Sequence, residues 1–483
     1  MSTSPQQQAV ITELQQPGYR LVKTSAVAGS GKTYLAIEAA KALGLKGRYL
    51  AYNKAIASEA AEKFKGTGIE CSTLHSLAWR AVVRQYGLKV GWFGYRDVEY
   101  NGSTTEKKEI AALIEGFCLC GEITPAGYFG LPQFENVDKD LITSAEEHIH
   151  GMADGTITCN HSFYLKMYHG LLTAGTIPPV DTGFLILDEA GDVTPVSLAI
   201  FKAITAEKKL MVGDTSQNIY KFNNTINGFH ALKSEGVELP LTTSYRVSSK
   251  IAKPVQAFMR NFVDTSFKFT GTTYTDDTVD TMMYISRYNT TLIAAMLTLQ
   301  SAGESFNTTR PVKLMLELPL ILARIDNGKK ITNTRYRVLE NLRNRYTTSA
   351  TLRSRYRTIQ QYISVAMKDD EEVVRGIKLL GTHGRNNILS LEAYAVQVAS
   401  PENTLTLTTA HSSKGLEADE VKLADDMNDV VKQATTNHKT ALKTDNTDLL
   451  DKANTEFLLY YVACTRAKKS LLNATQLPTK PYL

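Results

Sequence analysis

The sequence has few cysteines and no long apolar run, and both shortages exclude classes of protein. Its five cysteines are scattered. Cys118 and Cys120 are too close together to form a CxxC pair, so we expect neither a zinc site nor a disulfide framework. Because no run of about 18 apolar residues occurs, we expect no transmembrane helix. The first residues, Met1 to Gln6, lack the basic start and apolar stretch of a signal peptide, so a cytoplasmic location is expected.

The net charge is also small. It is +5, in a chain with 43% hydrophobic and 21% charged residues, a composition typical of soluble globular proteins. A mildly basic protein is compatible with a nucleic-acid partner, but this charge alone does not require one. The 483 residues exceed what one ordinary core organises, so we expect about two to four domains.

The first part of the chain alternates strands and helices. The predicted strands are 19–22, 48–52, 184–187 and 209–212, and an alanine-rich helix is predicted over 32–43. Strands separated by helices indicate a parallel sheet with crossover connections. The pattern is lost after residue 78 and returns near residue 180. We therefore predict a first domain of residues 1–78 and 180–239, with residues 79–179 as an insertion.

A second α/β domain is predicted for residues 240–302 and 402–483. Its predicted strands are 281–286 and 404–408, and a helix-rich insertion, residues 303–401, interrupts it. The stretch 425–455 is polar and poor in aromatic residues, which predicts a mobile surface loop.

A glycine-rich segment lies between the first predicted strand and helix. It reads Ala26-Val27-Ala28-Gly29-Ser30-Gly31-Lys32-Thr33 and fits the P-loop pattern, with alanine at the first position. Its glycines let backbone N–H groups surround phosphate oxygens at a helix N-terminus. Lys32 would bind the β- and γ-phosphates, and the Thr33 hydroxyl would ligate Mg²⁺. The alternative is a glycine-rich turn without a ligand, which the strand–helix context disfavours.

A nucleotide site also needs a carboxylate beside such a loop to hold the metal ion. The apolar strand 184–187 is followed by Asp188 and Glu189. Asp188 would hold Mg²⁺, directly or through water, and Glu189 would orient and deprotonate the attacking water. By itself this pattern is equally well an ordinary strand end. After a P-loop, it predicts ATP hydrolysis with ATP and Mg²⁺ as cofactors.

The surrounding segments resemble the helicase motifs of the UvrD/Rep group of superfamily 1. The matching segments, in order from motif II to motif VI, are 187–192, 212–222, Ser244-Tyr245-Arg246, 408–417 and 461–468. Order and spacing agree from residue 6 to residue 469. The resemblance implies an α/β fold of two RecA-like parallel-sheet P-loop domains (1A and 2A), each with a mainly helical insertion (1B and 2B), and an ATP site in the cleft between them.

Three further segments resemble the F-box DNA helicase branch of that group. They are 49–57, 72–78 and 163–168. No F-box is visible in the sequence, so a ubiquitin-ligase partnership is not expected.

The resemblance assigns roles around the nucleotide. Gln6 would read the adenine edge, although Gln7 and Gln8 adjoin it and leave the register open, and Tyr245 would stack on the base. Glu417 would contact the ribose, and Gln217 would sense the γ-phosphate. The implied nucleotide-binding set is Gln6, Ala28, Gly29, Ser30, Gly31, Lys32, Thr33, Tyr34, Tyr245, Arg246, Gly415, Glu417 and Arg466, and the implied catalytic set is Lys32, Asp188, Glu189, Gln217, Arg246 and Arg466.

The two arginines have a physical rationale. Arg246 and Arg466 would reach the γ-phosphate from the second domain and neutralise charge on the transferred phosphoryl group, as an arginine finger does. Hydrolysis would then be coupled to domain motion. Outside this series of motifs, either arginine would be an ordinary surface residue and Tyr245 a core aromatic.

A motor that ignores sequence is expected to stack bases and hold phosphates. The residues that the resemblance places on single-stranded DNA are Tyr52, Asn53, Thr73, His75, Tyr220, Phe222, Thr409 and His411. Core packing is the alternative for the aromatic members. Arginines and tyrosines also alternate over 335–357, which suits either a duplex or strand contact or a solvated helix face with tyrosines turned to the core.

Two positions depart from the family pattern. Gly191 stands where the group usually has glutamine in motif II, which puts coupling efficiency in doubt. Asn223-Asn224 replaces the usual Arg-Gly, so one phosphate contact is missing. Both insertions are short for the group, so duplex engagement is expected to be weaker or built differently.

The resemblance implies an ATP-dependent DNA helicase that moves 3′ to 5′ on single-stranded DNA, in DNA repair, replication or recombination. The alternatives are a translocase that displaces proteins without processive unwinding, a non-motor nucleotide-binding regulatory ATPase, and a motor on RNA. The expected partners are single-stranded DNA and single/double-strand junctions, with a single-strand-binding protein or other replication and repair factors as candidates. A monomer without membrane association is expected, in the host cytoplasm if the source is a phage.

Overall fold

The computed structural model describes residues 3–178, 180–219, 224–333, 336–368 and 370–474. The chain divides into two compact units, Met1–Ser244 and Tyr245–Leu483. The predicted Tyr220, Phe222 and Asn223 lie outside the described residues. Within the described ranges, no helix has both the length and the apolar character needed to cross a bilayer.

Unit 1 is built on a parallel sheet. Its strands are β1 (Arg20–Ser25), β2 (Gly47–Ala51), β3 (Ile69–Thr73), β4 (Asp181–Leu187), β5 (Thr205–Gly213) and β6 (Val237–Glu238). Their order is β3-β2-β4-β5-β1-β6, and every pairing is parallel. Because β4, β5 and β1 are neighbours, their carboxyl ends meet at one edge, where ligands bind in open α/β sheets.

Helices cover both faces of this sheet and fill the stretch between β3 and β4. They are α1 (Pro5–Leu14), α2 (Lys32–Leu43), α3 (Lys54–Lys63), α4 (Leu74–Ala78), α5 (Thr104–Leu119), α6 (Pro125–Phe129), α7 (Lys139–Ala153), α8 (His161–Thr173), α9 (Pro195–Ala203) and α10 (Gly228–Ala231). Ser4 and Gln7 form a capping box at the start of α1. The apolar faces of α1 and α2 pack on one side of the sheet, and those of α5, α8 and α9 belong to a core on the other side.

Unit 2 contains a second parallel sheet. Its strands are β9 (Met282–Ser286), β10 (Asn307–Thr308), β11 (Leu405–Thr409), β12 (Ala418–Leu423) and β13 (Ala467–Leu472), in the order β10-β11-β9-β12-β13; β7 (Thr243–Ser248), which begins at the unit boundary, pairs with β8 (Thr270–Thr272). The prediction of a mixed α/β chain with two parallel, RecA-like sheets is confirmed. The subdomain boundaries at 79–179 and 303–401 stay predictions.

The helices of unit 2 include a long hairpin near its end. They are α11 (Ser249–Phe262), α12 (Asn289–Ala302), α13 (Val312–Met315), α14 (Glu317–Ala323), α15 (Arg337–Thr348), α16 (Ala350–Arg355), α17 (Ile359–Ala366), α18 (Glu371–His383), α19 (Arg385–Val398), α20 (Asp425–Thr444) and α21 (Thr447–Cys464). The prediction of a mobile loop over 425–455 is wrong, because α20 and α21 occupy it. Asp445 turns the chain with a φ of 48°, and Asn446 then caps α21.

Candidate nucleotide site and strand-facing surfaces

The glycine-rich loop lies between β1 and α2, where the sequence predicts a phosphate cradle. Gly29 and Gly31 have φ values of 72° and 81°, a region that glycine enters without the Cβ penalty. Gly31 is the N-cap of α2, so Lys32 is the first helical residue. The loop is anchored by the Ala26 N–H, which donates to Gly213 O at 2.9 Å. The N–H groups at a helix start suit a phosphate.

Asp188 and Glu189 follow β4 at the same sheet edge. Asp188 is buried, and the Tyr49 hydroxyl on β2 donates to its Oδ2. Burial and the charge of Glu189 raise the Asp188 pKa to about 6. Burial and Asp188 also raise the Tyr49 pKa, so the phenol keeps its proton. Tyr49 is a site residue that the sequence does not predict, because only the β2–β4 pairing brings it beside Asp188.

Glu189 has a strained backbone. Its φ is 50°, and a non-glycine residue in this region costs on the order of 1–3 kcal/mol, a cost usually met at functional sites. Its Oε1 lies 3.8 Å from Lys32 Nζ. Lys32 and the two carboxylates are therefore brought together in unit 1.

The donor chemistry of this cluster fits ATP with Mg²⁺. Thr33, next to Lys32 on α2, offers a hydroxyl, and Asp188 offers a carboxylate, which are the oxygen ligands that Mg²⁺ accepts. The buried Ser30 Oγ has no hydrogen-bond partner among the described residues, so it retains hydrogen-bonding capacity at the phosphate cradle. The P-loop residues Ala28 and Tyr34 flank the same turn.

Gln217 is held by its own segment. Its Nε2 donates to Asp214 Oδ2 at 2.8 Å, and the Ser216 N–H donates to Asp214 Oδ1 at 2.9 Å. Both Asp214 and Gln217 are buried. Asp214 directly follows β5, which is the neighbour of β4, so this segment starts at the same edge as Asp188.

Local packing explains why residue 191 is glycine rather than the glutamine that is usual in the family. A Cβ added at Gly191 would lie 2.6 Å from Asp214 O, and one at Gly213 would lie 2.7 Å from Ala190 N. The main chains of motifs II and III therefore touch directly. Glutamine at residue 191 would push away the segment that carries Gln217, so the usual family residue does not fit this packing.

Of the adjacent glutamines near the N-terminus, Gln6 rather than Gln7 has a side chain with hydrogen-bonding groups left for adenine. The Gln6 amide donates to Thr242 Oγ1 at 2.9 Å and accepts from the Thr242 N–H at 3.0 Å. One N–H and one oxygen lone pair remain for an adenine edge. Gln7, in contrast, is buried, accepts from the Ser4 N–H and donates to Ser30 O at 3.3 Å. Its amide is committed to holding α1 against the P-loop.

The arginines of unit 2 lie in a polar cluster. Arg246 Nη1 is 3.2 Å from Glu417 Oε2, and its Nη2 donates to Thr465 O at 3.3 Å. Arg466 is only 1% exposed, and its guanidinium donates to Val462 O, Leu416 O and Thr465 Oγ1. It is therefore not an ordinary surface arginine.

Two other predicted nucleotide contacts lie on the surface or in a turn of unit 2. Tyr245 is 49% exposed, so the alternative of a core aromatic does not hold for it. Gly415 has a φ of 88°, which lets motif V turn sharply before Glu417.

The residues of unit 1 that are predicted to face the DNA strand line a cavity of about 320 Å³. Its lining includes Tyr52, Thr73 and His75 together with Asp188. The Tyr52 side chain is 48% exposed. Asn53 and Thr73 also cap helices, since their side-chain oxygens accept from the N–H groups of the third residues of α3 and α4. A predicted metal carboxylate and predicted strand contacts thus share one cavity.

The sequence does not predict the aromatic cluster that lies beside this cavity. His75 and Trp79 both contact the Tyr164 ring edge-to-face at 5.6 Å, and the His161 Nδ1 lies 3.0 Å from the Tyr164 hydroxyl. Trp79 is 38% exposed. Residues 163–168 were singled out for resemblance alone, and the spacing of His75 and Trp79 on one helical face was the available signal.

The motif V residues of unit 2 are more enclosed. Thr409 Oγ1 is bonded to Ser412 Oγ at 3.1 Å. Burial and the neighbouring charge of Arg287 lower the His411 pKa to about 4. His411 is therefore neutral at neutral pH and would contact a phosphate as a hydrogen-bond donor rather than as a cation.

In the arginine–tyrosine stretch, residues 335–357, the tyrosines are turned to the core, whereas exposed arginines are available for a duplex or strand contact. Its tyrosines join an apolar core, with the Tyr346 and Tyr362 ring centroids stacked at 5.9 Å and Tyr356 packed beside them. Arg343 is buried and pairs with Glu340. The exposed arginines form what we call the arginine patch, Arg337, Arg345, Arg353, Arg355 and Arg357.

Comparison with known proteins agrees with these features. A family model described as an AAA domain matches residues 6–223, and one described as a UvrD-like helicase C-terminal domain matches residues 285–475. The chain is 27% identical over 270 residues to F-box DNA helicase 1 of Gallus gallus, covering 48% of this chain and 25% of that protein. It is 24% identical over 289 residues to F-box DNA helicase protein 1 of Schizosaccharomyces pombe, covering 51% of this chain and 32% of that protein.

The aligned part of the chain thus spans less than a third of either curated relative. The two family models, however, match successive parts of the chain in the order expected for a helicase motor, one on each unit. Together with the motif series from the P-loop to Arg466, they identify the family: the chain belongs to the UvrD/Rep-like helicases of superfamily 1.

Proposed function

We propose that this protein is an ATP-dependent DNA helicase that translocates 3′ to 5′ along single-stranded DNA and unwinds duplex ahead of it. The observation that carries the proposal is the cavity of unit 1 that Asp188 lines together with Tyr52, Thr73 and His75. A nucleotide-dependent change at Asp188 can reach the strand-facing residues through this shared wall.

In the proposed reaction the P-loop N–H groups and Lys32 hold the phosphates, and Thr33 and Asp188 hold Mg²⁺. Bound Mg²⁺ would neutralise charge on the β- and γ-phosphate oxygens. Glu189 orients the attacking water and accepts its proton. Tyr49 keeps the Asp188 oxygens fixed by donating to one of them. Gln217, positioned by Asp214, responds to the γ-phosphate.

The second unit supplies the cations of the proposed cycle. Arg246 and Arg466 approach the γ-phosphate when ATP is bound and withdraw after hydrolysis, while Tyr245 and Gln6 hold the adenine and Glu417 the ribose. Alternating grip by Tyr52 and His75 in unit 1 and by Thr409 and His411 in unit 2 then moves the protein along one strand.

Tailed duplexes test this proposal directly. We expect single-stranded DNA to raise the ATPase rate several-fold, and a duplex with a 3′ single-stranded tail to be unwound while a 5′-tailed duplex is not. ATPase without stimulation by DNA would contradict the motor. Unwinding from the 5′ tail alone would contradict the polarity. Displacement of a bound protein without strand separation would mean that the protein translocates but does not unwind. Stimulation of the ATPase by RNA alone would mean that the substrate is RNA.

We further propose that the arginine patch holds the backbone of the duplex. Between residues 328 and 368 the chain has ten lysines and arginines and one glutamate. Since the tyrosines of this stretch are packed in the core, base stacking is not available there. Exposed arginines on a surface whose tyrosines are turned to the core suit a duplex, whose bases are already stacked, better than a single strand.

Replacing Arg353, Arg355 and Arg357 with alanine is expected to weaken duplex binding and lower its salt dependence. Each lost phosphate contact reduces the slope of log affinity against log salt by roughly 0.9, so the slope should fall by about 2–3. Fluorescence anisotropy with labelled duplex at several salt concentrations measures it. The matched control, alanine at Lys432, Lys439 and Lys443 of α20, removes the same charge. An equal loss in both variants would contradict a local contact.

A further inference from the structure

Glu417 is shared by two cations in unit 2. Its Oε2 lies 3.2 Å from Arg246 Nη1, and its Oε1 lies 2.9 Å from Lys468 Nζ. Although partial burial would raise the Glu417 pKa, the hydrogen bond from Lys468 and the charge of Arg246 outweigh it and lower this pKa. The carboxylate is therefore ionised and bridges the arginine and the lysine.

Lys468, the last residue of motif VI, and the adjacent Lys469 have different partners. Lys468 is bonded to Glu417, whereas Lys469 Nζ donates to Thr278 O at 2.6 Å and lies 3.5 Å from Asp276 Oδ2. The difference follows from their positions on β13, where successive side chains point to opposite faces. Lys469 therefore provides an internal comparison for Lys468.

The main chain of Arg246 is also held in place. Any move from Glu417 to a phosphate must therefore be made by the Arg246 side chain. The Tyr274 hydroxyl donates to Arg246 O at 2.6 Å, while the guanidinium is held by Glu417 and by Thr465 O. If Arg246 binds the γ-phosphate, it must leave Glu417. A carboxylate left without any cation would compete for the arginine with the phosphate.

We propose that Lys468 is a positioning residue for hydrolysis: it remains on Glu417 when Arg246 leaves, and so frees the arginine for the phosphate. This inference rests on the proposed function. It adds a role for Lys468 that the motif series does not assign. Because Glu417 is also the proposed ribose contact, the same carboxylate would take part in nucleotide binding and in the release of Arg246.

The test is a set of variants at residues 468 and 417, assayed for DNA-stimulated ATP hydrolysis. Lys468→Met should lower kcat about three- to fivefold, the rate equivalent of one partly exposed ion pair, with KM for ATP nearly unchanged. Lys468→Arg should retain kcat. In the double variant Lys468→Met, Glu417→Gln, most of the lost kcat should return, since a neutral glutamine no longer retains Arg246, while KM rises through the altered ribose contact.

Lys469→Met is the matched control and should keep the wild-type kcat. Thermal denaturation checks that each variant is folded. A kcat for Lys468→Met equal to that of the wild type would overturn the inference, as would a double variant no faster than Lys468→Met. Both outcomes leave the proposed function intact, whereas a wild-type protein that fails to hydrolyse ATP would overturn the function and this inference together.

Discussion

Replacing Lys32 with alanine is expected to reduce the DNA-stimulated ATPase rate by about 10²–10³-fold, as the loss of a preorganised charge at a phosphoryl-transfer site does. Lys32 is the first residue of α2, and its ammonium lies 3.8 Å from Glu189 Oε1. It would therefore face both the transferred phosphate and the residue that activates water. Without it, unit 1 would oppose the phosphate charge only with backbone N–H groups and bound Mg²⁺, and the proposed arginines of unit 2 would not replace the lost contact.

Steady-state phosphate release measures this effect, and α2 offers a control. Lys41→Ala removes a lysine from the same helix that is paired with Glu38 at 2.8 Å on the surface, and should leave the rate unchanged. Both variants should unfold within about 1 kcal/mol of the wild type, because exposed and partly exposed ion pairs contribute little. Hydrolysis by Lys32→Ala at the wild-type rate would remove the basis for assigning ATP to this loop.

The parts of the fold that were predictable are those that local patterns encode. The apolar strand 184–187 and the alanine-rich helix 32–43 occur almost as predicted, as parts of β4 and as α2. The helix α20 was missed because its buried stripe is sparse. Met427, Val431 and Ala434 recur at helical spacing on one face, but the polar residues between them dominate the composition, and only packing against α21 shows which face is buried.

The candidate site was predictable as a set of residue types, but not as a set of contacts. The P-loop and Asp188-Glu189 follow from spacing and context. The Tyr49–Asp188 hydrogen bond depends on strand pairing, and the buried Arg466 donates to a main-chain carbonyl of its own motif and to one of the distant motif V. Gly191 illustrates the limit best. Comparison with the family pattern indicates only that the usual glutamine is missing at Gly191. The close approach of Asp214 O shows that the packing there requires glycine.

Changing Glu189 to glutamine is expected to separate nucleotide binding from hydrolysis. Loss of a general base costs about 10²–10⁴ in rate, while glutamine keeps the size of the side chain and can occupy the same backbone conformation. The carboxylate that lies near Lys32 would be gone, so the ammonium would be more available to phosphate. We expect ATP affinity to be retained or increased. Single-turnover hydrolysis and equilibrium binding of a fluorescent ATP analogue measure the two effects.

Glu38→Gln, which removes the surface partner of Lys41 on α2, is the matched control and should hydrolyse ATP normally. If Glu189→Gln binds ATP but cannot hydrolyse it, then ATP should hold the variant in one state of its grip on DNA, and single-stranded DNA should dissociate more slowly with ATP than without it. The wild type would pass through that state in each cycle. Slow hydrolysis with no change in DNA dissociation would mean that the cavity wall shared by Asp188 and His75 does not transmit the nucleotide state, and that the coupling path lies elsewhere.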